Sequence, residues 1–235
     1  TGYKLNGTKA FISGGGYSDL YLTMVRTGGE GPKGISAVLV ESEAKGLSFG
    51  ALEDKMGWRA QPTAQVQFDD CEIPAANLIG EAGRGFAYAM AGLDGGRLNI
   101  AAGALGGAQR AMDLTMGYMS ERKAFGQPIG AFQSIKHRIA ELYGLVELAR
   151  ANAIHAAAHE HAEDFILAAA AARLSATEAY DSAARDCIQI HGGIGVTWEA
   201  GLHLHMRRAR SLAVELGNLY YWEDLLVEQL TGVAA

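Results

Sequence analysis

Cysteine is scarce. The 235-residue chain carries two, Cys71 and Cys187, far apart in sequence. That is no disulfide framework, and so low a count fits a reducing compartment such as the cytoplasm. Basic runs are also missing: Lys and Arg total 20 against 26 acidic residues, for a net charge of −6. Non-specific nucleic-acid binding needs clustered positive charge, so that class is set aside. No apolar run reaches the ~18–20 residues that span a bilayer. The most apolar stretch, residues 165–174, is short, alanine-rich and interrupted by Arg173. The opening TGYKLNG has neither the charged region nor the apolar core of a signal peptide. A start without Met inside a strand-like segment reads as a piece of a longer chain. No repeat of solenoid period is present. His155 and His159 stand at i,i+4, but Ala156 occupies the place where an HExxH zinc motif needs glutamate, so no metal site is expected.

What is present is globular. Hydrophobic residues make up 49% and charged residues 20%, enough to build a core. The length suits one large domain or two small ones, and the pattern changes near residue 83. Before it, short strand-like runs at 3–5, 10–13, 20–27, 35–41, 47–52 and 65–70 are separated by turn signals at Asn6-Gly7, Gly14 to Gly16 and around Pro32. In the last run, Val66 and Phe68 alternate with Gln65, Gln67 and Asp69, so one face is buried and one is wet. After residue 83, apolar positions recur at helical spacing: Ile135, Ile139, Leu142, Val146 and Ala149 form one stripe. Helices are expected near 84–119, 131–160, 162–190, 201–213 and 216–231. The expected fold is α+β: an incomplete, barrel-like antiparallel β-domain over 1–82, then an antiparallel four-helix bundle over 83–235.

Four short motifs bear chemistry, and each has a plainer reading. Phe11-Ile12-Ser13 runs into three glycines, which suits backbone approach to a flat ligand, or simply a strand entering a flexible turn. Glu121-Arg122-Lys123-Ala124-Phe125-Gly126 places a phosphate-binding guanidinium beside an aromatic ring, or ends a helix with cations and a glycine stop. Gln189-Ile190-His191-Gly192-Gly193 combines an amide with paired glycines that admit a pyrophosphate, or is an ordinary helix C-cap. No strand precedes it, so it is not a GxGxxG dinucleotide motif. His191 fits packing or a local hydrogen bond. Asp94-Gly95-Gly96-Arg97 lies in a helical stretch, where two glycines cost about 1 kcal/mol each relative to alanine. That cost suggests room for a ligand; the plainer reading pairs Asp94 with Arg97 at i,i+3. Arg207, Arg208 and Arg210 read as a solvated or subunit-facing helix surface.

Taken together, the motifs resemble the acyl-CoA dehydrogenase family over essentially the whole chain. The resemblance is carried by KAFISGGG, GLDGGRLNIAAGALGGAQRA, ERKAFGQPIGAFQSIKHRIAEL and QIHGGIGVTWE, with KMGWRAQPTAQVQFDDCEIPAANLIGEAGRGF in the middle domain. The β-domain and DGGRLNIA look closest to the short branched-chain, isobutyryl-type branch. The tail TWEAGLHLHMRRARSL looks like that of actinobacterial, partly heteromeric members. The resemblance implies FAD as cofactor. Phe11, Ile12 and Ser13 would lie along the isoalloxazine, and Arg122, Lys123, Phe125, Phe132 and Gln133 would reach the FAD of a neighbouring subunit. Gln189, Ile190, His191, Gly192 and Gly193 would hold its pyrophosphate or adenosine end. Asp94, Gly95, Gly96 and Arg97 would line the acyl-CoA path. Ala124 stands where many relatives carry Thr. The implied partners are an acyl-CoA substrate, an electron-transfer flavoprotein and further subunits of a homo- or hetero-oligomer, dimer or tetramer.

The implied reaction is α,β-dehydrogenation of a thioester: a positioned carboxylate takes the α-proton while the β-hydrogen leaves as hydride to flavin N5. The family base sits in a Glu-Gly pair, and an ungapped count from Gly195 puts that slot at Leu216, with Gly217 following. Glu215, one residue early, is the candidate base. Within a helix one residue turns a side chain by ~100°, so the loop has to absorb the shift. The alternative base position beside the helix arginine is Gly96. The family's N-terminal helical domain lies outside this chain. Two other readings stand beside the dehydrogenase: a non-catalytic FAD-binding subunit of a heteromer, and a flavin oxidase relative.

Overall fold

The computed structural model describes residues 2–215 and 217–232, apart from the side chain of Asp94. The chain forms two compact units, Thr1–Leu93 and Asp94–Ala235.

The first unit holds two antiparallel three-stranded sheets. One is ordered β1-β5-β4, from β1 (Gly2–Ser13), β4 (Leu47–Leu52) and β5 (Thr63–Pro74). The other is ordered β2-β3-β6, from β2 (Leu20–Arg26), β3 (Ile35–Glu41) and β6 (Leu78–Ile79). No closed barrel forms among the described residues. The alternation in β5 does what its sequence dictates: Val66 and Phe68 are buried while Gln65, Gln67 and Asp69 are exposed. With Leu5, Tyr21, Val38, Val40, Cys71 and Ile73 they make a core drawn from both sheets. Each such aliphatic side chain contributes about 1.5–3 kcal/mol when fully buried.

Asn6-Gly7 is not the turn that its composition suggests. The two runs at 3–5 and 10–13 belong to one strand, and the register against β5 slips between Leu5 and Gly7. Asn6 fills the irregularity: its Oδ1 accepts the Asp70 N–H at 2.8 Å and its Nδ2 donates to Asp70 Oδ1 at 3.0 Å. An amide side chain satisfies a bulged partner strand as readily as it initiates a turn.

The helical elements are α1 (Gly85–Glu121), α2 (Gln133–Ala158), α3 (Phe165–His191), α4 (Leu202–Val214) and α5 (Leu219–Thr231). Between α1 and α2 lies a minimal hairpin, β7 (Lys123–Ala124) and β8 (Gln127–Pro128), which the sequence pattern does not reveal. On α1, Ala101, Ala104, Ala108, Ala111 and Thr115 are fully buried at spacings of three and four. On α2, Leu142, Val146 and Ala149 of the expected stripe are buried, while Ile135 and Ile139 are half-buried. α3 packs against α2, α4 and α5, and its buried face is mostly alanine. Small residues let helices approach closely: a Cβ at Gly107 of α1 would stand 2.3 Å from the Tyr180 ring of α3. Among the described residues no helix is long and apolar enough to cross a membrane.

Tyr180 also sets a pH dependence. Burial pushes its hydroxyl up to about 12, with Arg208 pulling the other way. It therefore stays protonated at neutral pH, with its oxygen 3.1 Å from His205 Nδ1 on α4. Burial, then Arg110, lowers the His205 pKa below its ordinary 6.5. As the pH falls below that ordinary value, the unfolded chain takes up the proton before the folded one does. This histidine's contribution then declines until the lower folded pKa is passed, and levels off. His205→Asn keeps an acceptor and does not titrate, so its melting temperature should fall less than that of the parent between about pH 7 and pH 5.

Candidate functional site

In the β-unit, Phe11 sits where the β1–β5 register slips between Lys9 and Ile12. It is 74% exposed and has φ 56. Ser13 is exposed beside it, and Ile12 and Ser13 join Lys9, Leu20, Leu22 and Met24 around an open cleft of about 310 Å³. The glycines that follow form a turn held by hydrogen bonds. Tyr21 Oη accepts from the Gly16 N–H and donates to Gly14 O, both at 3.0 Å. The Gly14 N–H donates to Pro62 O at 2.8 Å.

In the helical unit, the arginine segment runs from the end of α1 into the β7–β8 hairpin, with Phe125 and Gly126 at its tip. Phe125 and Gly126 take φ 50 and φ 82, the double left-handed geometry of a two-residue turn. Glycine does this freely; phenylalanine does not. Phe125 is nonetheless 96% exposed, touched edge-on by Phe132 at 6.2 Å. Among the described residues four non-glycines have positive φ, and two of them are the exposed phenylalanines Phe11 and Phe125. Strained backbone clusters at ligand sites, which makes both exposed rings candidates for ligand contact.

The glycine corner ends α3. Gly192 has φ 62, and a Cβ on Gly192 or Gly193 would meet nothing within 4 Å. At Gly195 a Cβ would lie 2.3 Å from Ile188 O, so the corner is tightly folded on its inner side and open on its outer side. His191 does what its plainer reading says: its Nδ1 lies 2.7 Å from Cys187 O, and its ring stacks on Tyr118 at 4.1 Å. Tyr118 is a residue that sequence reasoning missed. It lies in the last turn of α1, its carbonyl accepts the Arg122 N–H at 2.9 Å, and its hydroxyl approaches His191 O at 3.4 Å. The arginine hairpin and the glycine corner are thereby brought to one end of the helical unit. Gln133 Nε2 is 3.4 Å from His137 on α2. A phosphate-bearing ligand with an aromatic part fits what is shown here: an exposed guanidinium, an exposed ring and open glycine backbone.

A third group surrounds the end of α4. Glu215 caps that helix with extended backbone, φ −66 and ψ 128, and its side chain is exposed. It therefore lies outside the helix, where the ~100° per-residue rotation no longer dictates its direction. Leu216, the ungapped family slot, lies outside the described residues, as does the side chain of Asp94. Arg97 does not stand alone: its guanidinium lies 5.1 Å from the ring centroid of Trp222 on α5. Arg173, on α3, is fully buried, and its Nη2 donates to Leu212 O and, at 2.5 Å, to Glu215 O. Burial lowers its pKa to about 10, against the favourable charge of Glu215, so it remains a cation at neutral pH. The signal for Arg173 was in the sequence: it is the one charge in the apolar stretch 165–174, on the buried face of an alanine-rich helix.

His155 and His159 do share a face, with ring centroids 4.0 Å apart. Asp164 joins them, each offering a ligand atom within 4.8 Å of the others. Arg210 pairs with Asp181 at 3.2 Å.

Family models described as the middle domain and the C-terminal domain of acyl-CoA dehydrogenase match residues 1–71 and 83–227. The chain is 43% identical over 210 residues to mitochondrial isobutyryl-CoA dehydrogenase of Bos taurus, which covers 88% of this chain and 50% of that protein. It superposes on butyryl-CoA dehydrogenase from Megasphaera elsdenii with a TM-score of 0.92 at 35% identity, over 97% of this chain and 60% of the other. A TM-score of 0.92 at 35% identity also relates it to a chain of the structure described as "Electron transferring flavoprotein of Acidaminococcus fermentans: Towards a mechanism of flavin-based electron bifurcation", over 98% of this chain and 61% of that one. The chain thus spans about half to three-fifths of the length of the relatives it matches. Two domain models matched in sequence order, the second over more than half of the chain, establish that the chain belongs to the acyl-CoA dehydrogenase family.

Proposed function

We propose that the protein carrying this chain is an FAD-dependent dehydrogenase of short acyl-CoA thioesters, with Glu215 as the base. The observation that carries the reading is the Tyr118–His191 contact, which unites the Arg122 hairpin and the Gln189–Gly193 corner at one end of the helical unit. Arg122 would bond a phosphate, Phe125 and Phe132 would cover an aromatic part, and the open backbone of Gly192 and Gly193 would admit the pyrophosphate. Lys123, Gln133, Gln189 and Ile190 flank these contacts. Phe11, Ile12 and Ser13 would face the isoalloxazine. When bound, the flavin supplies the two-electron oxidant that accepts the β-hydrogen as hydride. The chain's own part is to orient the thioester and to take the α-proton onto the Glu215 carboxylate, leaving a carbon–carbon double bond. Asp94 to Arg97 would line the acyl-CoA path. The names of the relatives favour a short or branched acyl group, and an electron-transfer flavoprotein is the proposed acceptor of the electrons.

One observation favours a second reading, a cofactor-sharing subunit without a base: the ungapped family position is Leu216, which carries no carboxylate. The visible flavin spectrum of the complete protein, taken anaerobically before and after isobutyryl-CoA is added, tests both. Bleaching is the expected outcome. A bound flavin that no short acyl-CoA bleaches would favour the subunit reading. A complete protein that never retains flavin would sink both.

A further inference from the structure

We infer that Arg173 and Trp222 are positioning residues that pin the segment carrying Glu215, so that the exposed carboxylate is presented from a rigid loop. This inference rests on the proposed role of Glu215 and adds the device that makes a base one residue out of register usable.

The segment leaves α4 at Val214 and enters α5 at Leu219. Two of its carbonyls, and one from the last turn of α4, are held by two buried donors. Arg173 Nη2 takes Leu212 O and Glu215 O, and Trp222 Nε1–H donates to Gly217 O at 3.1 Å. The donors come from α3 and α5, so the loop is tied to the bundle on two sides. Both are shielded: Arg173 is 0% exposed and Trp222 2%. They also meet each other, with the Arg173 guanidinium 6.0 Å from the Trp222 ring centroid. Arg97 approaches the same ring at 5.1 Å. Trp222 therefore joins the proposed acyl-CoA path to the proposed base.

Arg173 has no need to be an arginine for packing. Its neighbours on the buried face of α3 include Ala169, Ala170, Ala172 and Ala176, and an apolar side chain would spare the desolvation of a charge. Its Nε has no hydrogen-bond partner among the described residues, a further unfavourable feature of keeping it there. What the guanidinium does accomplish is local. It places a cation at the C-terminal end of α4, where the helix dipole is negative and Leu212 O otherwise accepts the Glu215 N–H at 3.3 Å. It also fixes the carbonyl of the residue whose side chain is proposed to react. A carbonyl held from below constrains φ and ψ at Glu215 and so the direction of its Cα–Cβ bond. Gly217 completes the constraint: it has φ 114, and a Cβ there would lie 2.4 Å from Tyr221. General-base catalysis requires the carboxylate within hydrogen-bond reach of the proton it takes, and a displacement of about 1 Å can reduce rate by about 10²-fold.

The test uses the complete, FAD-loaded enzyme with isobutyryl-CoA. Trp222→Phe keeps an aromatic six-membered ring and removes the donor to Gly217 together with the second ring of the indole. Arg173→Lys keeps the charge and loses the fork. Arg173→Met removes both. The two conservative variants should lower kcat by about 10-fold with KM changed less than about twofold, and Arg173→Met by about 100-fold if it folds. Amide exchange in the peptide covering residues 212–218 should quicken in all three, while the flavin stays bound. In a Glu215→Gln background the same changes should lower turnover no further, because they act through the same group. Unchanged exchange in Trp222→Phe and Arg173→Lys would overturn the anchor, whatever the base. Faster exchange with wild-type kcat, or a multiplicative loss in the Glu215→Gln background, would overturn its catalytic use. Wild-type turnover by Glu215→Gln alone sinks the base assignment instead, so the two failures are distinguishable.

Discussion

Glu215→Gln in the complete, flavin-loaded enzyme is expected to lower turnover by about 10²- to 10⁴-fold, the usual contribution of a positioned general base. The substitution is close to isosteric. It keeps the Glu215 carbonyl that accepts from Arg173, so the loop retains its anchor and the change is confined to the proton acceptor. KM for the acyl-CoA and flavin content should stay near the parent's, since the lost interaction is made in the transition state. Anaerobic stopped-flow flavin reduction reads the effect without involving the electron acceptor. Parent-like reduction by the variant would transfer the chemistry to another subunit or another residue and leave this chain as a holder of cofactor.

The glycine corner yields a second large effect, and it separates folding from cofactor binding. At Gly195 an added Cβ would meet the Ile188 carbonyl oxygen at 2.3 Å and its carbon at 3.1 Å. Those are backbone atoms of α3, which cannot swing away as a side chain does. Gly195→Ala should therefore destabilise by about 1–3 kcal/mol, or roughly 2–4 °C of melting temperature per kcal/mol for a protein of this size. Gly193 is two residues away and differs in kind: nothing lies within 4 Å of its would-be Cβ. Gly193→Ala should leave the stability of the flavin-free protein within about 0.5 kcal/mol of the parent. If the open side of the corner receives the pyrophosphate, the added methyl should weaken FAD binding by about 10-fold, equivalent to about 1.4 kcal/mol. Thermal melts of flavin-free protein and an FAD titration check the pair. Equal FAD affinity in Gly193→Ala and the parent would place the cofactor elsewhere.

Local pattern carried much of the fold. The alternation of β5 and the helices of the second unit follow from period-two and period-3.6 burial, which neighbouring residues set among themselves. The chemical motifs were equally legible, because residue type and spacing within a few positions are what define them. Asn6-Gly7 was not legible, since its composition suits a turn and a bulge equally. The choice was made by Asp70, 64 residues away, which supplied the partner for the amide.

The same holds at the candidate site. That Phe11 and Phe125 are exposed in left-handed backbone depends on a register slip and a hairpin, neither of which has a composition signal. Tyr118 reads as one more residue on a helix until α3 brings His191 to its ring, 73 positions later. Arg173 stood out in the sequence as a charge in an alanine face. Its partners, Leu212 and Glu215, lie 39 and 42 residues away. The amino-acid order by itself determined most of the helices and strands and the motifs that mark the family, because those are properties of short segments. Which of them meet, and in what geometry, was decided by the packing of helices and sheets, because a buried cation or a bulged strand finds its partners wherever the fold brings unpaired carbonyls and amides within reach.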